Sequence, residues 1–220
     1  GTTLGDLVST IAGEAGLEPA ISESVASIVL PHLDQIDESD ISLLTRIAHD
    51  FDALIKPGGG RLVVTRRGES VSASGEPLPT ITLTKKQVTR WSMTAALRDP
   101  AQRVVARYID TDAAEVVDVE AERPGSDEIL ANVSATRRLR RTMPNQETAT
   151  RAAEAEADRA SRAARQLSLS LPGNPDLVAE GRLQLIGFRE GVDGEWLITN
   201  VTHQLDSGGY RCSVSAERPE

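Results

Sequence analysis

Two hydrophobic periods share this chain, and the place where one gives way to the other constrains the fold more than any single motif. Near the start, apolar residues recur at helical spacing. From Val88 they fall at every second position: Trp91, Met93, Ala95 and Leu97 alternate with polar neighbours. A period of two puts one face of a strand into a core and the other into water, which predicts antiparallel strands. The Asp99-Pro100 turn leads into Arg103–Ile109, and Ala114–Ala121 follows. Alternation returns over Gln166–Leu171, Arg182–Phe188, Trp196–Leu205 and Tyr210–Ala216, with hairpin turns at Gly191–Gly194 and Ser207–Gly209.

One stretch interrupts the strands. Residues 145–165 are rich in alanine and alternating charge and hold no Gly or Pro, which predicts a helix. Glu147 with Arg151 and Asp158 with Arg162 stand at i,i+4. At ~1.5 Å per residue the helix spans about 30 Å, long enough to cross a sheet. Its small side chains allow close approach but bury little area.

The opening residues have a different character. Thr3 and Asp6 form a capping-box start, followed by Leu4, Leu7, Val8, Ile11, Ala12 and Ala15 on one helical face, with Gly16 placed to end it. Leu17–Gln35 predicts short strands and a helical turn. A second helix follows Asp37, which is expected to cap it. Ile41, Leu44, Ala48 and Phe51 form its buried stripe, with Leu43 and Ile47 beside it. Ala53–Lys56, a glycine turn and Arg61–Thr65 predict a hairpin. Residues 66–84 are rich in Gly, Ser, Thr and Pro, as a connector would be. The expected class is therefore α+β. A small α+β domain spans 1–70, a connector 71–85, and an antiparallel β-barrel 86–220 with the helix 145–165 inserted. Closure into a barrel would remove exposed strand edges.

Composition narrows function by exclusion. With 39% hydrophobic and 26% charged residues the chain can bury a core beneath a hydrated surface. A net charge of −9 argues against general nucleic-acid binding and suits a surface past which DNA slides without sticking. Aromatics at 3% leave little to stack bases or sugars on. No apolar run approaches the ~20 residues of a membrane span. No charged-then-apolar segment of the secretory kind opens the sequence. The first residue is Gly1 and not Met, which predicts that an upstream part of the natural protein is missing.

No catalytic constellation stands out. His32, His49 and His203 lack partners at metal-ligand spacing, and no cofactor is expected. His49 with Asp50 and Asp52 is the nearest approach to an acid/base cluster, but such neighbours diverge on a helix. His203, on the Leu197, Thr199, Val201, Leu205 face, reads as a structural hydrogen-bonding group. Asp37, Glu38 and Asp40 are explained by a helix start. The glycines at 58–60 and 207–209 lie between strands and are turns, not phosphate loops. Cys212 is alone and alternates with Tyr210 and Val214, as a core residue would. Arg137, Arg138, Arg140 and Arg141 form the strongest basic cluster. Three readings stay open for it: a solvated strand that offsets acidic surface, contact with a partner protein, or contact with DNA.

Several segments resemble the phage late control gene D protein family, of the contractile-tail baseplate hub. Thr3–Val8 and Asp34–Ala48 through Gly60–Val63 match near the start. Leu169–Pro175, Gly187-Phe188, Gly194–Ile198 and Val201–Tyr210 match near the end. Similar segments occur in type VI secretion spike proteins. The resemblance implies a structural, non-enzymatic hub subunit of a virion or prophage tail, made in the bacterial host cytoplasm. It implies self-association, as a trimer in the full-length protein, with tube-forming barrels between the tail tube and the spike. A tape-measure protein or DNA would pass through the lumen without specific binding, and no membrane partner is expected. The alternatives are the base of a secretion spike, a cell-wall-binding module and a lysozyme-like hydrolase. The hydrolase would need a carboxylate pair that the sequence does not suggest.

Overall fold

The computed structural model describes residues 1–72, 75–95, 101–122 and 135–219. The chain is mixed α+β, with more strand than helix, and divides into two compact units. One holds Gly1–Glu69, Ala73–Glu76 and Pro100–Arg159; the other holds Ser70–Ser72, Pro77–Asp99 and Ala160–Glu220.

Helix α1 (Leu4–Glu14) starts as predicted. The Asp6 amide donates to the Thr3 hydroxyl at 3.1 Å, and the Thr3 amide donates back to the Asp6 carboxylate at 3.0 Å. Those bonds, the Thr3 amide first, hold the Asp6 carboxyl below its ordinary 3.8. A depressed carboxyl stabilises the fold above its unfolded pKa and loses that contribution as pH falls through the folded value. Thr3→Ala is expected to cost about 1 kcal/mol at neutral pH. Its deficit relative to the parent should shrink in acid, as read from urea midpoints at two pH values. Gly16, with φ +67°, turns the chain out of the helix.

Strand β1 (Glu18–Ile21) and the single turn α2 (Glu23–Ala26) follow, then helix α3 (Asp40–Asp50). The cap of α3 is Ser39, whose hydroxyl accepts from the Ser42 amide at 3.4 Å; Asp37 lies outside the helix at φ +51°. Leu44 and Ala48 of the expected stripe are buried together with Leu43 and Ile47 beside it, while Ile41, at the start of the helix, is 45% exposed. Strands β2 (Ala53–Gly58) and β3 (Arg61–Arg66) form the predicted hairpin, with Gly59 and Gly60 both at positive φ. The sheet order is β1-β3-β2, with β1 parallel to β3. Leu4, Val8, Leu44 and Val64 are fully buried at the centre of this part.

Strand β4 (Thr80–Thr84) rises from what composition marks as a connector. Its alternating Thr, Ile and Leu suit a strand, but five residues directly after a Gly- and Pro-rich segment give a weak signal. A 3₁₀ turn at Lys85–Gln87 leads to β5 (Arg90–Ala95). Leu97 and the Asp99-Pro100 turn lie outside the described residues. Next come β6 (Ala101–Asp110), β7 (Glu115–Glu122), β8 (Ala135–Met143) and helix α4 (Gln146–Ala163). The closing strands are β9 (Arg165–Pro172), β10 (Arg182–Ile186), β11 (Gly194–Asp206) and β12 (Gly209–Glu217).

These strands do not close into a barrel among the described residues. Six form one sheet, β4-β10-β11-β12-β9-β5, with β4 and β5 at its edges; three form another, β7-β6-β8. Nor is the pairing wholly antiparallel: β4 runs parallel to β10, and β8 parallel to β6. The physical reason is what covers each face. Val104 and Ala106 of β6 and Met143 of β8 pack on Ala149, Ala152, Ala153 and Ala157 of α4. The six-stranded sheet buries Leu167, Leu169, Leu183, Trp196, Ile198 and Val214 in a separate core. Periodicity shows which residues share a face, not which sheet a strand joins.

Candidate functional site

The four arginines of the basic cluster, for which three readings stood open, all lie on β8, on alternate faces. Arg137, Leu139, Arg141 and Met143 point towards the α4 side. Arg137 pairs with Glu156 of α4 at 2.9 Å, and Arg141 with Asp50 at 2.8 Å. Arg138 and Arg140 point to the opposite face. There Arg138 reaches across β6 to Asp118 of β7 at 2.6 Å, and Arg140 has no partner among the described residues. The same face carries a second bridge, Arg103 to Glu120, at 3.2 Å. Intramolecular pairing thus engages three of the four. Glu156 is only 8% exposed and also meets Arg159, at 3.3 Å. Removing one partner of such a carboxylate strips part of its compensation. Arg137→Ala is expected to cost about 1–2 kcal/mol, discounted because the guanidinium is half exposed. Arg140→Ala should stay within about 0.5 kcal/mol, both read by chemical denaturation.

The histidines occupy three different settings. His32 is exposed and 3.2 Å from Asp34. His49 lies under the Arg159 guanidinium, which donates to its backbone carbonyl at 2.9 Å. Its neighbours diverge, with Asp50 bound to Arg141 and the buried Asp52 3.9 Å from Arg67. His203 is in a tighter cluster than its sequence position suggests. A bulge between Ile198 and Asn200 shifts the alternation of β11, so His203 stands opposite Cys212, not on the face of Leu197. Its Nε2 is 3.0 Å from the Leu177 carbonyl, which can only accept. Nδ1 of the neutral ring is therefore the acceptor, 2.7 Å from the Tyr210 hydroxyl and 3.3 Å from the Cys212 sulfur. Cys212 is 1% exposed and receives the Asn174 amide at 3.3 Å.

That cluster ties down the Leu171-Pro172-Gly173-Asn174-Pro175 turn. The Gly173 amide donates to the Tyr210 carbonyl at 2.8 Å, and a Cβ at Gly173 would lie 1.9 Å from the Tyr210 ring. The arrangement resembles a Cys–His dyad in composition only: the thiol is sealed beneath the turn, and every polar atom named is spent on holding it. Sequence reasoning missed this convergence because Leu177 and Asn174 lie 26 and 38 residues from His203 and Cys212, and His203 meets Cys212 through a bulge. It also missed Arg218, whose guanidinium stacks 4.6 Å from the Trp196 ring. Arg218 donates to the carbonyls of Gly191, Asp193 and Glu195 at 2.9–3.0 Å. Burial, then Arg165, holds its pKa below the ordinary arginine range.

The clefts are small where they are enclosed. One of about 70 Å³ is lined by residues including Asp52, Arg66, Arg151 and Glu154. Among the described residues no group of three or more His, Cys, Asp or Glu is placed to hold a metal ion. No helix among them is long and apolar enough to cross a membrane. What this geometry offers is surface: strand edges, paired charge and rigid turns.

Comparison with known proteins gives that surface a context. The model of the phage tail baseplate hub family matches residues 1–209. The chain belongs to this family. It is 28% identical to the "Probable baseplate hub protein" of Escherichia phage 186 over 250 aligned positions, covering 98% of this chain and 64% of the relative. The protein of the same description from Escherichia phage P2 is likewise 28% identical, over 249 positions, with the same coverage. The chain thus spans 64% of the length of these relatives. In fold it is similar to the tail protein from Neisseria meningitidis MC58, with a TM-score of 0.74 at 12% identity, covering 99% of this chain and 67% of that one. The segments that resemble the hub family fall on the start of α1, on α3 and the β2–β3 hairpin, on the Gly173 turn, and on β11 and its hairpin with β12.

Proposed function

We propose that this chain is a structural, non-enzymatic subunit of a phage or prophage tail baseplate hub, placed in the virion tail between tube and spike. The observation that carries it is the family match over residues 1–209. The geometry supports the same reading: described polar clusters such as His203–Tyr210–Cys212 are committed to holding turns.

On this reading the chain self-associates, as a trimer in the full-length protein. Strands β5 and β9–β12 of the six-stranded sheet then belong to the tube-type part expected within 86–220, joined by β4 from the connector, and residues 1–70 supply the small flanking domain. The edges β4 and β5 then meet neighbouring subunits, so the ring closes between chains and not within one. The net charge of −9 favours passage of DNA or a tape-measure protein without adhesion.

Deleting the gene in the particle-producing strain should abolish tails with an assembled baseplate, and a plasmid copy should restore them. Antibody against this chain should decorate the baseplate end of purified particles. Complete, infective tails lacking the chain would refute the proposal.

A further inference from the structure

The sheet β7-β6-β8 is polarised across its width. All four charged residues of β7 are acidic, and all four of β8 are arginines. Both are edge strands, hydrogen-bonded among the described residues to β6 alone. We propose that β7 of one copy of this chain pairs with β8 of a second copy, extending the two three-stranded sheets head to tail into one.

The argument is one of sign and direction. Charged residues on an edge ordinarily keep it from pairing with another edge. Here they do so selectively: β7 against β7, or β8 against β8, sets like charges opposite each other, which is unfavourable. Only the unlike edges are compatible, and this excludes the two-fold arrangement in favour of a repeating one. Direction agrees. Strand β7 is antiparallel to β6, and β8 is parallel to it. A neighbour in the same orientation therefore offers its β8 antiparallel to β7, the more stable kind of ladder.

The side chains are already placed for it. Asp118 and Glu120 project on the same face as Arg138 and Arg140. An antiparallel register that keeps the faces aligned brings one of these carboxylates opposite Arg138, with Arg140 beside it in the irregular stretch of β8 where Leu139–Arg141 stand against Ala106. Within one chain the Arg138–Asp118 pair spans β6 on that face at 2.6 Å, leaving Arg140 over. At the hairpin end of the same face, the cross-strand neighbours Ile109 and Val116 are 50% and 58% exposed, apolar surface beside the docking edge. A head-to-tail contact makes a ring if its rotation closes and a filament if it does not.

This inference rests on the self-association proposed above and adds a second surface to the β4 and β5 edges. Two variants, Glu120→Cys and Arg140→Cys, are treated with a short bismaleimide, the buried Cys212 remaining in both. The mixture should give cross-linked dimers at about ten times the yield of either variant alone, and a chain carrying both cysteines should give a ladder. Arg140→Glu should weaken association about tenfold in sedimentation, and Glu120→Lys in the same chain should restore it. Circular dichroism and unchanged thermal unfolding confirm that each variant folds. Equal cross-linking by the single variants would overturn the head-to-tail arrangement. Oligomers without preferential cross-linking would place the interface elsewhere and leave self-association standing. Monomers at every concentration would remove both.

Discussion

Trp196→Ala should lower stability by about 4 kcal/mol, the range for removing a large buried aromatic. Trp196 is 0% exposed and is the largest fully buried side chain. Truncation takes three things away together. Its ring fills the core beneath the six-stranded sheet. Its Nε1 donates to the Val192 carbonyl at 2.7 Å, an acceptor that the substitution leaves without this donor. It is also the platform for Arg218, whose guanidinium clasps the Gly191–Glu195 loop. For a chain of this size each kcal/mol shifts the midpoint by about 2–4 °C, so Tm should fall by about 8–16 °C. Trp196→Phe, which keeps most of the volume and loses the indole N–H, should cost less than half as much. Equal losses for the two variants, measured by calorimetry, would show that the hydrogen bond and not the packing dominates.

Gly173→Ala is the second large effect, and its cause is purely steric. Gly173 is not among the positive-φ glycines, so its backbone accepts alanine without strain. The added methyl, however, would sit 1.9 Å from the Tyr210 ring, far inside van der Waals contact. Either the ring moves and gives up its hydroxyl bond to His203, or the turn moves and gives up the Gly173–Tyr210 backbone bond. A cost of about 3 kcal/mol is expected, at the upper end of overpacking effects. Tyr210→Ala opens the space, so the double variant should be more stable than the sum of the single losses predicts, by about 1 kcal/mol or more. Strict additivity in urea unfolding would show that the clash is relieved some other way.

Both sites show how sequence and structure divide the work. The Gly173 turn was legible as a turn, from Pro and Gly at fixed places. That its glycine is required by a tyrosine across a neighbouring strand was not, because the contact is set by the pairing of β9 with β12. The arginines of β8 were legible as a cluster. Their partners, Asp50, Asp118 and Glu156, come from three other elements, so that three of the four charges are already paired could not be read from the run itself.

What the sequence by itself determined is local: the Thr3–Asp6 capping box, the β2–β3 glycine hairpin, the proline-free α4 and the spans of the last strands to within a residue or two. These depend on spacing, capping and turn chemistry over a few residues. It also carried the family resemblance, in the α3 helix with its glycine hairpin and in the segments of the last strands. Only the tertiary structure decided that β6, β7 and β8 leave the final strands to pack on the alanines of α4, that β4 belongs to a sheet at all, and that β4, β5, β7 and β8 are edges among the described residues. Alternation fixes the faces of a strand but carries no information about its neighbour. The neighbour is chosen by which distant apolar face it covers, and that choice is made by packing over the whole unit.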